Sequence, residues 1–349
     1  MILNTDIPEL LFSYNLFLIE LSEVESNVVF MLSHKNNKGG FDEVLYETYT
    51  PDKENRISIV GIDEVLRSYL LENPVSDFKL QFINNEELEI SREVKIIYSH
   101  VELEGDTNKI LNQRFLSLMT GDKTVYPDSI EYLHVYPLKQ EKVQINIICR
   151  NSVDDYVYRT IIGKTLEANK IQLLDVSPSI FTEKNEVLVK YEVMCGSRRM
   201  TFFVDHLRKS TLQVMFTNNF GMPETFSTVA DWSSEHKYKN EFGQMKGLYK
   251  KYAVSMEKEI LANTGLLDQH TANWLELDLF KSMRVFEIRN CKIWKPITII
   301  NQTVKRSSDK GELPSFDFTY RLEQKNHGLL GVTAYVSRLF SPIFSKIFS

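Results

Sequence analysis

Residues 212–226, LQVMFTNNFGMPETF, decide how the rest of the chain is read. Leu212, Val214 and Phe216 alternate along an extended segment, Asn218 and Asn219 open a corner, and Pro223 restarts an extended run through Thr225 and Phe226. Asn and Gly tolerate positive φ, and Pro cannot donate to a central ladder. The chain must therefore turn between two strands here, and we read the turn, with Phe220 and Gly221 at its tip, as a boundary between β-domains.

Working outward, the 349 residues are enough for two or three separate cores. A 43% hydrophobic and 25% charged composition places the chain among soluble globular proteins, and 21 Phe with 16 Tyr tilt it toward β-structure. The net charge of −6, with Lys and Arg scattered, provides no footprint for sequence-independent nucleic-acid binding, so no nucleic-acid partner is expected. Cys149, Cys195 and Cys291 are odd in number, far apart and set in apolar strand-like contexts, the pattern of buried free thiols in a reducing cytoplasm. No secretory signal is expected from MILNTDIPELLFSYNLF, which lacks a basic region and a small-residue cleavage site. Nor is there a run of 18 uncharged apolar residues.

In order, 12–20 and 28–33 read as a hairpin, 43–50 as a third strand, and Pro51 to Asn55 as a tight turn. Ile57 and Ile59 continue the sheet, and Asp63 caps a helix over 64–71 that stops before Pro74. Strands at 78–83 and 90–101 close a first β-sandwich. The pattern then recurs: 132–136 with 143–150 as a pair, 156–162, 170–176, a short segment opened by Ser177 and Pro178, and a closing pair at 187–194 and 200–205. Residues 154–160 echo 41–48 at an offset of about 112 residues, which points to a tandem repeat. FLSLMTGDKTVY, 115–126, is too apolar for a flexible linker and reads as a packed connector. A third region has strands at 224–230, 248–262, 284–289, 292–304 and 315–322, with a helix over 270–283 whose apolar side is Trp274, Leu275, Leu277, Leu279 and Phe280.

The C-terminal stretch GLLGVTAYVSRLFSPIFSKIFS is different in kind. Val332, Tyr335, Val336, Leu339, Phe340, Ile343, Phe344 and Ile347 recur at spacings of three and four, predicting an amphipathic helix kinked near Pro342. At roughly 1.5–3 kcal/mol for each fully buried side chain, such a face requires a docking partner. Only Arg338 and Lys346 are charged on its polar side, fewer than helices lying on membranes carry, so a membrane role is a minor alternative.

Phosphate loops, dinucleotide fingerprints, nucleophile elbows and zinc spacings are absent from the sequence, and neither a cofactor nor a catalytic residue is expected. Asp205 and His206 are adjacent, and neighbours on a strand point to opposite faces, so they read as structural. His34, His100, His134, His236, His270 and His327 are dispersed, without metal-ligand spacing. Trp232, Tyr238, Tyr249 and Tyr252 could form an aromatic platform for a glycan or protein partner, against the plainer reading that at least two pack in a core.

Several short motifs carry a resemblance. Tyr49-Thr50-Pro51-Asp52 with Ile57 and Ile59, Phe115 to Leu118 with Thr120-Gly121 and Tyr126-Pro127, Phe220 to Phe226, and Phe316 to Arg321 resemble a family encoded by phages and prophages of gut anaerobic bacteria. Its members look like β-domain structural components of the virion, in the tail or baseplate. The likeness runs over about 40–322, consists of strand and turn residues, transfers no functional residue and does not include the segment after Gly328. It implies a virion protein made in the bacterial cytoplasm, with further copies of itself and other virion proteins as partners.

The expectation is thus a mainly β chain: tandem β-sandwich-like domains at 1–104 and 131–211 joined by a connector at 105–130, a β-rich domain at 212–327, and a docking helix at 328–349. The expected function is structural and non-enzymatic. A glycan- or receptor-binding adhesin module and a peripheral membrane protein are the alternatives.

Overall fold

The computed structural model describes residues 1–85, 87–103, 105–153, 155–229, 232–245, 248–305 and 313–323, and the chain is mainly β. The expected C-terminal helix, with all eight of its apolar residues from Val332 to Ile347, lies outside the described residues.

The first region contains β1 (Ile2–Leu3), β2 (Leu10–Phe12), β3 (Leu18–Ser22), β4 (Val28–Lys35), β5 (Phe41–Tyr49), β6 (Ile57–Val60), α1 (Ile62–Leu70), β7 (Val75–Asn84) and β8 (Glu87–Ile97). Its strands form a β1-β3-β6 sheet and a β2-β8-β7-β4-β5 sheet, in which β2 runs parallel to β8. Alternate residues of both sheets, Ile19, Leu21, Ile57 and Ile59 from one and Phe30, Leu32, Phe78, Leu80 and Phe82 from the other, are buried in one shared core. The expected hairpin of 12–20 with 28–33 does not form, because β3 and β4 belong to different sheets. A 3-10 turn, Ser13–Leu16, breaks the first segment, and buried Val24 anchors the crossing through its backbone bond to Asn55. The helix starts after Gly61, at φ +79°, rather than at Asp63. Asp63 and Glu64 instead occupy its first turn, where negative charge complements the helix N-terminus.

The second region contains α2 (Thr107–Gln113), β9 (Asp122–Val125), β10 (Tyr132–Val135), β11 (Glu141–Asn151), β12 (Tyr156–Leu166), β13 (Gln172–Asp175), α3 (Pro178–Phe181), β14 (Glu186–Cys195) and β15 (Arg198–Val204). Its five-stranded sheet runs β12-β11-β14-β15-β9, with β9 parallel to β15, and β10 pairs with β13. The order of the five-stranded sheet is that of β5-β4-β7-β8-β2, the β10-β13 pair stands where β3-β6 does, with no counterpart of β1 among the described residues, and a helix precedes the last hairpin in both regions. Segment 41–48 lies in edge strand β5, and residues 156–160 of its echo open edge strand β12. Two expectations are corrected: 132–136 pairs with β13 and not with 143–150, and the stretch read as a connector supplies edge strand β9.

The third region is one seven-stranded sheet. It comprises β16 (Leu212–Thr217), β17 (Pro223–Thr228), β18 (Trp232–Met245), β19 (Leu248–Asn263), β20 (Val285–Arg289), β21 (Lys292–Lys305) and β22 (Ser315–Leu322), in the order β17-β16-β20-β21-β22-β19-β18. Helix α4 (Gln269–Leu277) is shorter than the expected 270–283: Asp278 is its C-cap, a turn follows, and the Asp278 carboxyl accepts from Asn219. Leu279 and partly buried Phe280 still pack in the core, which is why the apolar pattern outruns the helix. Strand β18 was not expected, because its sequence is polar apart from isolated aromatics. Cys149 and Cys195 are buried, but Cys291 is exposed. With Asn290 it makes the turn from β20 to β21, both residues at positive φ.

Candidate functional site

The turn at Asn218 is the tip of the β16–β17 hairpin, closed at Thr217 opposite Pro223, and so lies within one sheet rather than at a seam between two. The tip nevertheless joins all three regions. The Asn218 side-chain oxygen accepts from the Phe220 and Met222 backbone amides, both at 3.0 Å, while its Nδ2 donates to Leu116 O at 2.8 Å and to Glu224 Oε2 at 3.0 Å. Asn219 donates from its backbone and from Nδ2 to Asp278 Oδ1, at 2.8 and 2.6 Å, and its carbonyl accepts from the His100 amide. Phe220 packs against Phe12, and Gly221 at φ +73° lies so close to Tyr98 that a Cβ would sit 3.1 Å from that ring.

Beside this tip lies a closed cluster of charge. Lys123 Nζ donates to Glu131 Oε2 and Thr225 O, both at 2.6 Å, and sits 4.8 Å from the Trp274 ring centre. Glu224 Oε1 accepts from Ser117 Oγ at 2.5 Å. One lysine cannot neutralise three buried carboxyls, and unbalanced buried charge is costly, so burial favours the protonated forms. Burial raises Glu131 and Glu224, and burial with the charge of Glu224 pushes Asp278 up to about 8. In this cluster Lys123, Glu131, Glu224 and Asp278 are all buried, and their bonds tie the elements together. The signal for it in the sequence is a charge inside each of several apolar runs.

The expected aromatic platform maps to the β18–β19 hairpin. Trp232, Tyr238 and Tyr249 are 54%, 62% and 81% exposed, so core packing is not their role. Tyr252 lies on β19, but its side chain falls outside the described residues. Tyr238 is six residues from Trp232, and Tyr249 pairs with Gln244, twelve residues from Trp232. At roughly 3.4 Å per residue these spacings spread the aromatics along a ribbon instead of into one patch. Phe242, unremarked in the sequence, is 60% exposed on the same face as Trp232 and Tyr238.

Two further surfaces stand out. At the root of this hairpin a groove of about 600 Å³ is lined by Trp232, Lys258, Tyr320, Gln213, Glu287 and Arg289. On the second region, β12 pairs only with β11 among the described strands, leaving its other edge without a strand. Tyr156, Tyr158 and Ile162 project, exposed, from the outer face of that edge. Phe203 extends the same face under Lys190, whose Nζ is 4.8 Å from its ring. The run YVYRTII, aromatic or β-branched on both faces of a strand, was the readable sign.

His206 bonds to Leu188 O and is not paired with Asp205. Among the described residues no group of three His, Cys, Asp or Glu side chains is arranged to hold a metal ion, and no helix is long and apolar enough to cross a membrane.

Comparison with known proteins adds little. No protein-family model and no curated protein matches the chain. Among solved structures it is similar to squid arrestin at 11% identity, covering 55% of this chain and 88% of the other, with a TM-score of 0.15, too low to carry any argument about fold or function.

Proposed function

We propose that the chain is a non-enzymatic structural subunit that works through protein–protein contacts in a repeated assembly. Strand β12 carries the reading: a long edge with no second strand beside it among the described residues, and exposed Tyr156, Tyr158 and Ile162 on its outer face, is suited to receive a strand or sheet from a neighbour. The equivalent strand order in the two five-stranded sheets supports tandem β-sandwich-like units, one over 1–104 and one over 131–211 completed by β9 from the stretch before it, followed by a third domain over 212–327. Assignment to a phage virion, of tail or baseplate type and made in the host cytoplasm, rests on the motif resemblance around Tyr49, Phe115, Phe220 and Phe316. Other copies of the chain and other virion proteins are then its partners.

The reading is tested by light scattering on a sizing column, comparing the native chain with Tyr158→Glu/Ile162→Glu. A native mass above one chain that falls to one chain in the variant supports it; a single-chain mass for both at every concentration removes it.

The groove beside Trp232 favours a second reading, a glycan- or receptor-binding module, since an exposed Trp flanked by polar side chains suits a sugar face. Glycan-array binding lost on Trp232→Ala would support it, and absence of binding by the native chain would count against it.

A further inference from the structure

The β18–β19 hairpin outruns its sheet. Strand β22 accompanies β19 from Glu259 to Asn263, so the part from Lys237 to Met245 with its partners Glu257 to Leu248 has no third strand among the described residues. At roughly 3.4 Å per residue that is an arm of about 30 Å. Its two faces differ. Trp232, Tyr238 and Phe242 share one face, which at its root is the core side of the sheet, where Ile260 and Ala262 are buried. Glu235, Lys237, Lys239 and Glu241 occupy the other face, with Lys237 paired to Glu259 at 2.6 Å. The arm therefore carries the core face of the sheet into solvent, with its aromatics uncovered.

We propose that the C-terminal segment 328–349 of the same chain covers this face. Register points to it: Asp317 pairs with Asn263 and Arg321 with Glu259, so β22 runs from the base of the sheet toward the arm and ends at Leu322 beside the arm's root. Length agrees. The five Cα steps from Glu323 to Gly328, at up to about 3.5 Å each, suffice to cross the root. The 22 residues that follow span about 33 Å as a helix, matching the arm. Chemistry agrees too, because the segment contains no Asp or Glu and its apolar stripe from Val332 to Ile347 needs a surface of the same kind. Docking within one chain involves neither β12 nor an assembly, so the inference stands apart from the proposed function.

The experiment places a photo-crosslinking benzoylphenylalanine at Phe242, at Tyr238 and, as the charged-face control, at Lys239 in the full chain, each variant first shown to melt at the native temperature. After irradiation, a product at the mass of one chain whose peptides join Phe242 or Tyr238 to 328–349, with none from Lys239, is expected. A product at the mass of two chains, or no crosslink to 328–349, overturns the proposal. In parallel, a chain stopped at His327 should bind a synthetic 328–349 peptide by fluorescence anisotropy, and Phe242→Ser should weaken that binding about tenfold. Failure of the peptide to bind, or unchanged binding by the variant, equally overturns it.

Discussion

Replacing Asn218 with Ala tests whether the hairpin tip is what joins the three regions. The substitution removes four buried hydrogen bonds at once: the acceptor for the Phe220 and Met222 amides and the donor to Leu116 O and Glu224. Each buried group left unpaired costs about 1–3 kcal/mol, and partial relaxation of the loop brings the expected total to about 3–5 kcal/mol. Asn218→Asp separates geometry from charge. It keeps both acceptor contacts but sets a second carboxyl against Glu224, so its cost should be smaller at pH 5, where the shared site holds protons, than at pH 8. Urea unfolding followed by Trp fluorescence, which reports on buried Trp274 next to the cluster, supplies the values. A loss below about 1 kcal/mol for Asn218→Ala, the size of a surface substitution, would refute the claim that the tip is a junction.

Asp278 gives a prediction in pH. Its folded value of about 8 lies above the ordinary carboxylate value, so the folded state holds the proton more tightly and stability falls as pH rises from about 4 to about 8. Asp278→Asn should flatten much of that decline, measured as unfolding free energy at pH 5.5 and 8.5; a variant with the native slope would show that Asp278 is not held protonated. Thiol labelling gives another: the native chain should react rapidly at Cys291 alone, and in denaturant at Cys149 and Cys195 as well. Fast native labelling of more than one thiol would contradict the burial described.

Much of the local structure was legible because period-two alternation and turn residues are local signals. The strand predicted at 315–322 is β22, and the turn at Pro51 to Asn55 forms as expected, with Asp52 Oδ1 accepting from Glu54 and Arg56. Pairing was not legible. Segments 12–20 and 28–33 look like a hairpin, yet Val24 is buried and carries the chain from one sheet to another, a choice made by the shared core and not by the loop. Strand β9 is read as a connector because its partner, β15, lies some eighty residues later. At the site, Trp232, Tyr238 and Tyr249 lie exposed, but the arm was hidden because polar β18 does not look like a strand. The Lys123 cluster shows in the sequence only as single charges inside apolar runs, since the segments that carry them meet only in the folded chain. Cys291 misled through its apolar neighbours, while Asn290 beside it supplied the turn.

The central claim is that β12 is an edge on which a neighbour docks, and residue-resolved hydrogen exchange across β12 tests it most directly. The native chain would be compared at dilute and high concentration, with β17, the buried edge strand of another sheet, as the internal reference. Protection that rises with concentration in β12 and stays constant in β17 is the result the account predicts. Exchange in β12 that is the same at every concentration, in a chain that remains single throughout, would contradict it.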